Sequence, residues 1–185
     1  PAAANGVVGL KATSGRISRH GVLPPSGTAD HLGVITRTVR DAAALLQVLA
    51  GPRAGDHTTA DVPVDDYLHG VATNPDRPRI GVPVQWLDDL RADIAENFAT
   101  AIDRVRDFGG EIVEIGMRPT PEMYRAWGTL NRFETYAQFA DELCRNPGQF
   151  PPVIRAELAA GHRLTREDAD AARTERARWQ AELAA

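Results

Sequence analysis

Few residues of this 185-residue chain have side chains suited to covalent catalysis. The chain contains one lysine, Lys11, one cysteine, Cys144, and three serines, Ser14, Ser18 and Ser26. A serine nucleophile needs a neighbouring base, such as a histidine or a lysine. The five histidines are scattered over predicted loops and helix ends. Sequence order alone therefore does not assemble a Ser-His-Asp set.

Two further groups of residues have suitable side chains without a suitable pattern. Asp56, His57 and Asp61 are potential metal ligands, but their spacing fits no established ligand pattern, and a turn-rich loop is predicted instead. Cys144 with Lys11 and a glutamate would supply a Cys-Glu-Lys catalytic set. However, Cys144 lies at the end of a predicted helix with only distant arginines around it, which is not the electropositive setting of a reactive thiol. We therefore predict neither a metal site nor a catalytic cysteine.

Composition and charge exclude several classes of protein. The net charge of −4 does not favour a nucleic-acid partner, and a single cysteine cannot form an internal disulfide. No apolar run approaches the roughly 18 residues that a membrane helix needs. No charged-then-apolar leader opens the chain, so we expect a cytoplasmic protein with no membrane partner. The chain begins at Pro1 rather than methionine, so we expect it to be processed or cut from a longer protein.

The first half of the chain predicts loops, a short strand and a helix. A buried strand is predicted over residues 6–10, within a loop-rich stretch of about 35 residues. A helix begins after Thr38, a good N-cap with Asp41 three residues later, and ends at Gly51. Residues 52–78 are predicted to form a long surface connection that packs onto the body of the protein.

The clearest predicted unit is a strand, a helix and a strand. Residues 79–83 form a short apolar strand, and residues 111–115 form a second strand that alternates apolar and acidic residues; the two flank an amphipathic helix over residues 91–108. Strands and a helix of these lengths form a βαβ unit with parallel strands, which places the chain in the α/β class.

Three helices are predicted after residue 120. The first begins at Thr120-Pro121, continues to about Leu143 and is broken at Asn146-Pro147-Gly148. A shorter helix opens at Pro151-Pro152 and stops at Gly161, and a last one runs from Thr165, with Asp168, toward Ala185.

The glycine-rich opening also carries a dense pattern at fixed spacing. It comprises Pro1-Ala2-Ala3, Gly6-Val7-Val8-Gly9-Leu10-Lys11, Thr13, Gly15-Arg16-Ile17-Ser18-Arg19, Gly21-Val22, Asp30, Gly33 and Arg37-Thr38-Val39-Arg40-Asp41-Ala42-Ala43. Further matching segments are Arg79-Ile80-Gly81-Val82-Pro83 and Phe108-Gly109-Gly110-Glu111-Ile112-Val113-Glu114. This pattern resembles the amidase signature family. Residues 1–185 are then a partial amidase domain, composed of a signature segment (1–51), the βαβ unit (79–115) and a helical region (120–185).

The resemblance implies a fold and a reaction. The implied fold is a mixed β-sheet covered by helices, in agreement with the predicted α/β class. The implied reaction is hydrolysis of a C–N amide bond through a serine acyl-enzyme, with a lysine base that acts through a second serine. Backbone N–H groups beside the nucleophile form the oxyanion hole. The resemblance implies no cofactor and a small-molecule amide substrate, and it is compatible with a homo-oligomer.

The resemblance also implies where the catalytic residues lie. In the family the nucleophilic serine lies a few residues before the Pro-Ala-Ala motif, and the second serine and the lysine lie further upstream. Lys11 and the three serines match none of these positions. We therefore expect no catalytic residue within this chain, which we interpret as the middle-to-rear section of an amidase without activity of its own.

Two residues are predicted to serve substrate binding. Asp30 matches an aspartate on a loop close to the family's active site, where it would organise the nucleophile region; the alternative is a loop-capping carboxylate. Glu134 matches a glutamate often seen in the family. It lies on a predicted helix whose aromatic-rich side carries Trp127, Phe133 and Tyr136. It would line the acyl pocket; the alternative is a surface or half-buried helical glutamate.

Two other functions remain open from the sequence. In the first, the parent is the glutaminase component of a tRNA-dependent amidotransferase (its A subunit), which uses glutamine-derived ammonia and needs a partner. In the second, the chain is a non-catalytic binding module that keeps the family's scaffold.

Ala12, Val34 and the loop 23–29 depart from the family's usual residues, which leaves the substrate subclass undetermined.

Overall fold

The computed structural model describes residues 1–23, 26–73, 77–116 and 120–184. The chain divides into two compact units. The first combines Pro1–Thr73 with Glu122–Ala185, and the second is Asn74–Pro121. Parts of two predicted segments, residues 24–25 of the loop 23–29 and residues 74–76 of the connection 52–78, lie outside the described residues, as does Ala185 at the predicted end of the last helix.

The first unit opens with an antiparallel pair of strands. Strand β1 (Val8–Lys11) pairs with β2 (Gly33–Thr36), and Leu10 lies opposite Val34. A Cβ at Gly33 would lie 2.3 Å from the carbonyl oxygen of Leu10, so the close approach of these strands requires glycine. The predicted strand at residues 6–10 is confirmed, displaced toward the C-terminus.

Two helices follow β2 in the first unit. Helix α1 (Val39–Leu49) begins as predicted, because the side chain of Thr38 accepts a hydrogen bond from the backbone N–H of Asp41. Helix α2 (Tyr67–Ala72) lies within the segment predicted to be an irregular connection, so that prediction is wrong over these six residues. The connection packs onto the body as expected: Tyr67 contacts a cluster formed by Ala12, Ile17 and Leu46.

The second unit is the predicted βαβ unit. Strands β3 (Arg79–Pro83) and β4 (Glu111–Ile115) are parallel, with Gly81 opposite Val113. Helix α3 (Ala92–Asp107) connects them and packs against β4. The α/β class is therefore confirmed. In the described part of the chain the four strands form two separate two-stranded sheets, one antiparallel and one parallel.

The first unit is completed by three helices: α4 (Pro121–Arg145), α5 (Pro152–His162) and α6 (Arg166–Ala184). Ala126 and Leu130 of α4 pack with Ala169 and Ala172 of α6 in a buried cluster. Among the described residues, no helix is both long and apolar enough to cross a membrane.

The predicted stop of α5 at Gly161 is wrong, because the helix continues through Gly161 to His162. Gly161 is buried, and a Cβ there would lie 2.3 Å from the carbonyl oxygen of Arg132 on α4. The absence of a side chain at this position allows α5 to approach α4 closely. Glycine is therefore needed here for packing between helices rather than for ending one.

Candidate functional site

Ser26 is the centre of a hydrogen-bonded loop in the first unit. It is completely buried, and its two polar groups bind two different carboxylates. Its backbone N–H donates to Oδ2 of Asp30 at 2.7 Å, and its hydroxyl donates to Oε2 of Glu134 at 2.6 Å. The hydroxyl oxygen also accepts from the backbone N–H of Ala29 at 3.2 Å. Ser26 thus joins the loop that carries Asp30 to helix α4, which carries Glu134.

Thr28 makes a second connection between the same loop and α4. Its backbone N–H donates to Oε2 of Glu134 at 3.0 Å, and its hydroxyl lies 2.8 Å from Oε1. Helix α6 also contributes: Nη1 of Arg176 donates to the Thr28 hydroxyl at 3.0 Å, and Nη2 of Arg173 lies 4.0 Å from Oε1 of Glu134. The carboxylate of Glu134 therefore holds the loop against two helices.

The surroundings of Glu134 favour its charged form. The side chain is only 10% exposed, and this burial alone would raise the pKa of Glu134. The hydrogen bonds from Ser26 and Thr28 and the positive charge of Arg173 outweigh burial, so its pKa lies below the ordinary value of 4.5. Glu134 is accordingly an anionic acceptor at neutral pH rather than a proton donor.

A cavity of about 810 Å³ lies beside this loop, between α4 and α6. Thr28, Ala29 and His31 line it from the loop. The two helices contribute mainly apolar residues together with three polar ones from α6: Met123, Tyr124, Ala126, Trp127, Leu130, Trp179 and Leu183, and the polar Glu175, Arg176 and Gln180. His31 is oriented by a 2.8 Å contact between its Nδ1 and the carbonyl oxygen of Ala29. The cavity combines hydrocarbon and aromatic surface with a few polar groups, a composition typical of small-molecule sites.

Asp30 and Glu134, the two predicted site residues, are connected by their hydrogen bonds to Ser26. Neither of them lines this cavity. Glu134 holds Thr28, which does line it, so Glu134 acts on the cavity wall through the loop. The predicted aromatic side of α4 is divided: Trp127 lines the cavity, Phe133 packs on the helical core and Tyr136 faces His162, with ring centroids 5.0 Å apart.

Sequence reasoning missed Ser26 and Thr28, because neither matches a catalytic position. The signal that could have found them is a pair of hydroxyl residues two positions apart, just before Asp30. Such residues commonly bond to neighbouring backbone and carboxylate groups in turns.

Asp56, one of the potential metal ligands considered from the sequence, has hydrogen-bond partners that give it a structural role. Oδ2 of Asp56 accepts from the Ser18 hydroxyl at 2.5 Å and from the backbone N–H of Arg19 at 3.0 Å. Its Oδ1 accepts from the backbone and the hydroxyl of Thr58. Asp56 therefore organises a turn-rich loop, as predicted. Within the described ranges, no three potential metal ligands cluster together. Cys144 is an exposed free cysteine near the end of α4.

Comparisons with known proteins agree on one family. The family model described as Amidase matches residues 1–182. The A subunit of the glutamyl-tRNA(Gln) amidotransferase of Nitratidesulfovibrio vulgaris (strain DP4) is 40% identical over 143 residues, which are 76% of this chain and 29% of that protein. Its counterpart from Roseiflexus sp. (strain RS-1) is 39% identical over 180 residues, which are 87% of this chain and 37% of that protein.

A solved structure extends the likeness to the fold. A crystal structure of an amidase superimposes with a TM-score of 0.77 and 30% identity, over 96% of this chain and 37% of that one. The chain therefore spans about a third of the length of the proteins that it matches.

Proposed function

The chain belongs to the amidase family, and from this premise we propose that it is part of an enzyme that hydrolyses the C–N bond of a small-molecule amide. In this proposal a serine attacks the amide carbonyl and forms an acyl-enzyme, which water then hydrolyses. A lysine is the base and acts through a second serine, and all three residues lie outside the 185 residues. No cofactor takes part, and neither nucleic acid nor a membrane is a partner. The proposal is compatible with a homo-oligomer.

The observation that carries this proposal is the match of the family model over residues 1–182. The site geometry supports a substrate-side role for this part of the protein. The apolar cavity beside the loop has the size and lining of a small-molecule site. We propose that Asp30 and Glu134 serve substrate binding indirectly, since their hydrogen bonds to Ser26 fix the loop that forms one wall.

The names of the curated relatives favour a second candidate function. The relatives from Nitratidesulfovibrio and Roseiflexus are both A subunits of a glutamyl-tRNA(Gln) amidotransferase. On this alternative the protein would release ammonia from glutamine and require a partner protein to use it. The two candidates share the cleavage of an amide bond and differ in the amide and in the need for a partner.

The experiment is an assay of the intact parent protein, purified without any partner, against a panel of simple amides, anilides and glutamine. We expect release of amine or ammonia from at least one simple amide. Turnover of glutamine alone, dependent on an added partner protein, would support the amidotransferase instead. Absence of turnover of every amide, with and without that partner, would overturn amide hydrolysis and leave a binding module.

A further inference from the structure

A second cavity in the first compact unit is far smaller and more polar than the one beside α4. Its volume is about 20 Å³, and mainly polar atoms face it. It lies between the stretch 13–19, the stretch 30–32 and Thr58. Because a water molecule needs roughly 10–15 Å³ of such space, the cavity has room for one water and for no organic ligand.

Close backbone contacts hold two sides of this cavity together. The backbone N–H of Ala60 donates to the carbonyl oxygen of Gly15 at 2.9 Å. A Cβ at Gly15 would lie 3.1 Å from the carbonyl oxygen of Thr58, and the φ of Gly15 is +78°, so this approach requires glycine. Asp56 adds a second connection, because it accepts from the backbone N–H of Arg19 at 3.0 Å and from the Thr58 hydroxyl at 2.6 Å.

Two oppositely charged side chains line the cavity without contacting each other. Nη1 of Arg19 donates to the backbone oxygen of Asp30 at 3.2 Å, and Oδ2 of Asp30 accepts from the backbone N–H of Ser26 at 2.7 Å. In the described part of the chain, the guanidinium and the carboxylate form no direct ion pair with each other. Both residues are half-buried, where unsatisfied donors and acceptors are costly. A bridging water is nearly as favourable there as a direct hydrogen bond.

The charges that line the cavity favour a neutral ligand over an ion. Arg19 would repel a cation in so small a space, and Asp30 would repel an anion. A water can accept from the guanidinium and donate to the carboxylate. The Thr58 hydroxyl gives its own proton to Asp56 and keeps lone pairs that can accept from the water. These three groups match the roughly three hydrogen bonds that a buried water makes.

We propose that this cavity holds one ordered water, which accepts from the Arg19 guanidinium and donates to the Asp30 carboxylate and the Thr58 hydroxyl. The carboxylate is then held on one side by Ser26 and on the other by the water. The water connects the loop that carries Asp30 to the glycine-rich stretch 13–19. This inference concerns packing within the first unit and is independent of the proposed hydrolase function.

A high-resolution crystal structure of the intact parent protein tests the site directly. We expect density for one water at about 2.7–3.2 Å from both a guanidinium nitrogen of Arg19 and a carboxylate oxygen of Asp30. Three results would overturn the proposal: a side chain from another part of the parent in this space, a direct ion pair between Arg19 and Asp30, or a cavity without density.

A crystal soaked in rubidium bromide separates water from an ion. Both ions of this salt scatter X-rays anomalously, so data collected at the bromine and rubidium absorption edges reveal either one. We expect no anomalous peak in the cavity at either edge. A bromine peak would identify an anion site and a rubidium peak a cation site, and either would overturn the water.

Variants at Arg19 test the assigned donor. Arg19→Met keeps much of the side-chain length but removes the N–H groups, and it is expected to reduce the occupancy of the water at least about twofold. Arg37→Met is the matched control, because Arg37 is exposed in the same unit and does not line the cavity. We expect it to keep the water as in wild type. Equal occupancy in both variants would overturn the assignment of Arg19.

A pair of variants at Thr58 tests the third hydrogen bond. Thr58→Ser keeps the hydroxyl and is expected to retain the water. Thr58→Val replaces the hydroxyl by a methyl group of similar size and is expected to reduce the occupancy at least about twofold. Full occupancy in Thr58→Val would overturn the hydrogen bond to Thr58. Should a variant fail to fold, the wild-type crystal and its soak still decide whether the water is present.

Discussion

The hydroxyl of Ser26 donates a 2.6 Å hydrogen bond to Oε2 of Glu134, and the two residues are 108 positions apart in the sequence. The serine is completely buried, and the carboxylate side chain is 10% exposed. A hydrogen bond to a charged acceptor in such surroundings is stronger than one between neutral groups. This contact connects the glycine-rich first part of the chain to the helical last part.

Replacing Ser26 by alanine is expected to destabilise the protein. Ser26→Ala removes the donor to Glu134 and leaves the largely buried carboxylate with Thr28 as its remaining hydrogen-bonded partner. Loss of a hydrogen bond to a charged group costs about 1.5–3 kcal/mol. Urea unfolding measures this loss, with Ser14→Ala as the control because Ser14 is exposed. Equal midpoints for the two variants would contradict the structural role of Ser26.

The depressed pKa of Glu134 predicts a pH dependence of stability. The pKa of Glu134 in the folded state lies below the ordinary 4.5. Between the depressed pKa and pH 4.5, the unfolded state therefore binds more protons at this residue than the folded state does. The contribution of Glu134 to the free energy of unfolding is therefore complete above pH 4.5 and is lost as the pH falls through the depressed value. Urea unfolding between about pH 6 and pH 3 should show this decline.

The Glu134→Gln variant separates this contribution from those of other carboxylates. Hydrogen bonds from Ser18 and Thr58 lower the pKa of Asp56, and hydrogen bonds from Thr165 lower that of Asp168. Glu134→Gln is therefore expected to have a shallower decline in acid but to keep the part due to these aspartates. An acid slope identical to that of wild type would contradict the assignment to Glu134.

The start of α6 depends on a reciprocal cap. The Thr165 hydroxyl accepts from the backbone N–H of Asp168 at 3.1 Å, and Oδ2 of Asp168 accepts from the backbone N–H of Thr165 at 2.8 Å. Thr165→Ala is expected to cost about 1 kcal/mol in urea unfolding and to speed hydrogen exchange in the first turn of α6. Thr165→Ser keeps the hydroxyl and should retain most of the stability; a loss equal to that of alanine would argue against the cap.

Local signals explain which elements could be predicted from the sequence. The start of α1 was predictable because Thr38 and Asp41 lie three residues apart and form the cap themselves. The βαβ unit was predictable because an apolar strand and a strand of alternating apolar and acidic residues flank a long amphipathic helix. Such signals lie within a few residues of the structure that they specify.

Signals that depend on tertiary contacts explain what the sequence did not reveal. Helix α2 is short, and its local cap, in which Asp66 accepts from the backbone N–H of His69, is supplemented by a distant contact: the backbone N–H of Tyr67 donates to Oε1 of Gln47 at 2.8 Å. The pairing of Glu134 with Ser26 and Thr28 spans more than 100 positions. No local spacing indicates which of the chain's carboxylates will face that loop.

Gly128 on α4 and Gly161 on α5 are predicted to respond oppositely to substitution by alanine, with one variant stabilised and the other destabilised. A Cβ at Gly161 would lie 2.3 Å from the carbonyl oxygen of Arg132 and 2.7 Å from Cβ of Tyr136. A Cβ at Gly128 would have only an ordinary contact, at 3.7 Å from Nη1 of Arg132. Alanine at either position gains helix propensity of about 0.5–1 kcal/mol, but at Gly161 the helices must separate to admit the methyl group.

Gly161→Ala is therefore expected to lower the free energy of unfolding by about 1–3 kcal/mol, since overpacking outweighs the gain in propensity. Gly128→Ala is expected to raise it by about 0.5–1 kcal/mol. Urea unfolding of the two variants beside wild type measures both changes. A stabilised Gly161→Ala protein would mean that α5 does not pack closely on Arg132 and Tyr136. The clashing atoms are the carbonyl oxygen of Arg132 and the Cβ of Tyr136, and alanine at position 136 keeps both, so Tyr136→Ala should not rescue Gly161→Ala.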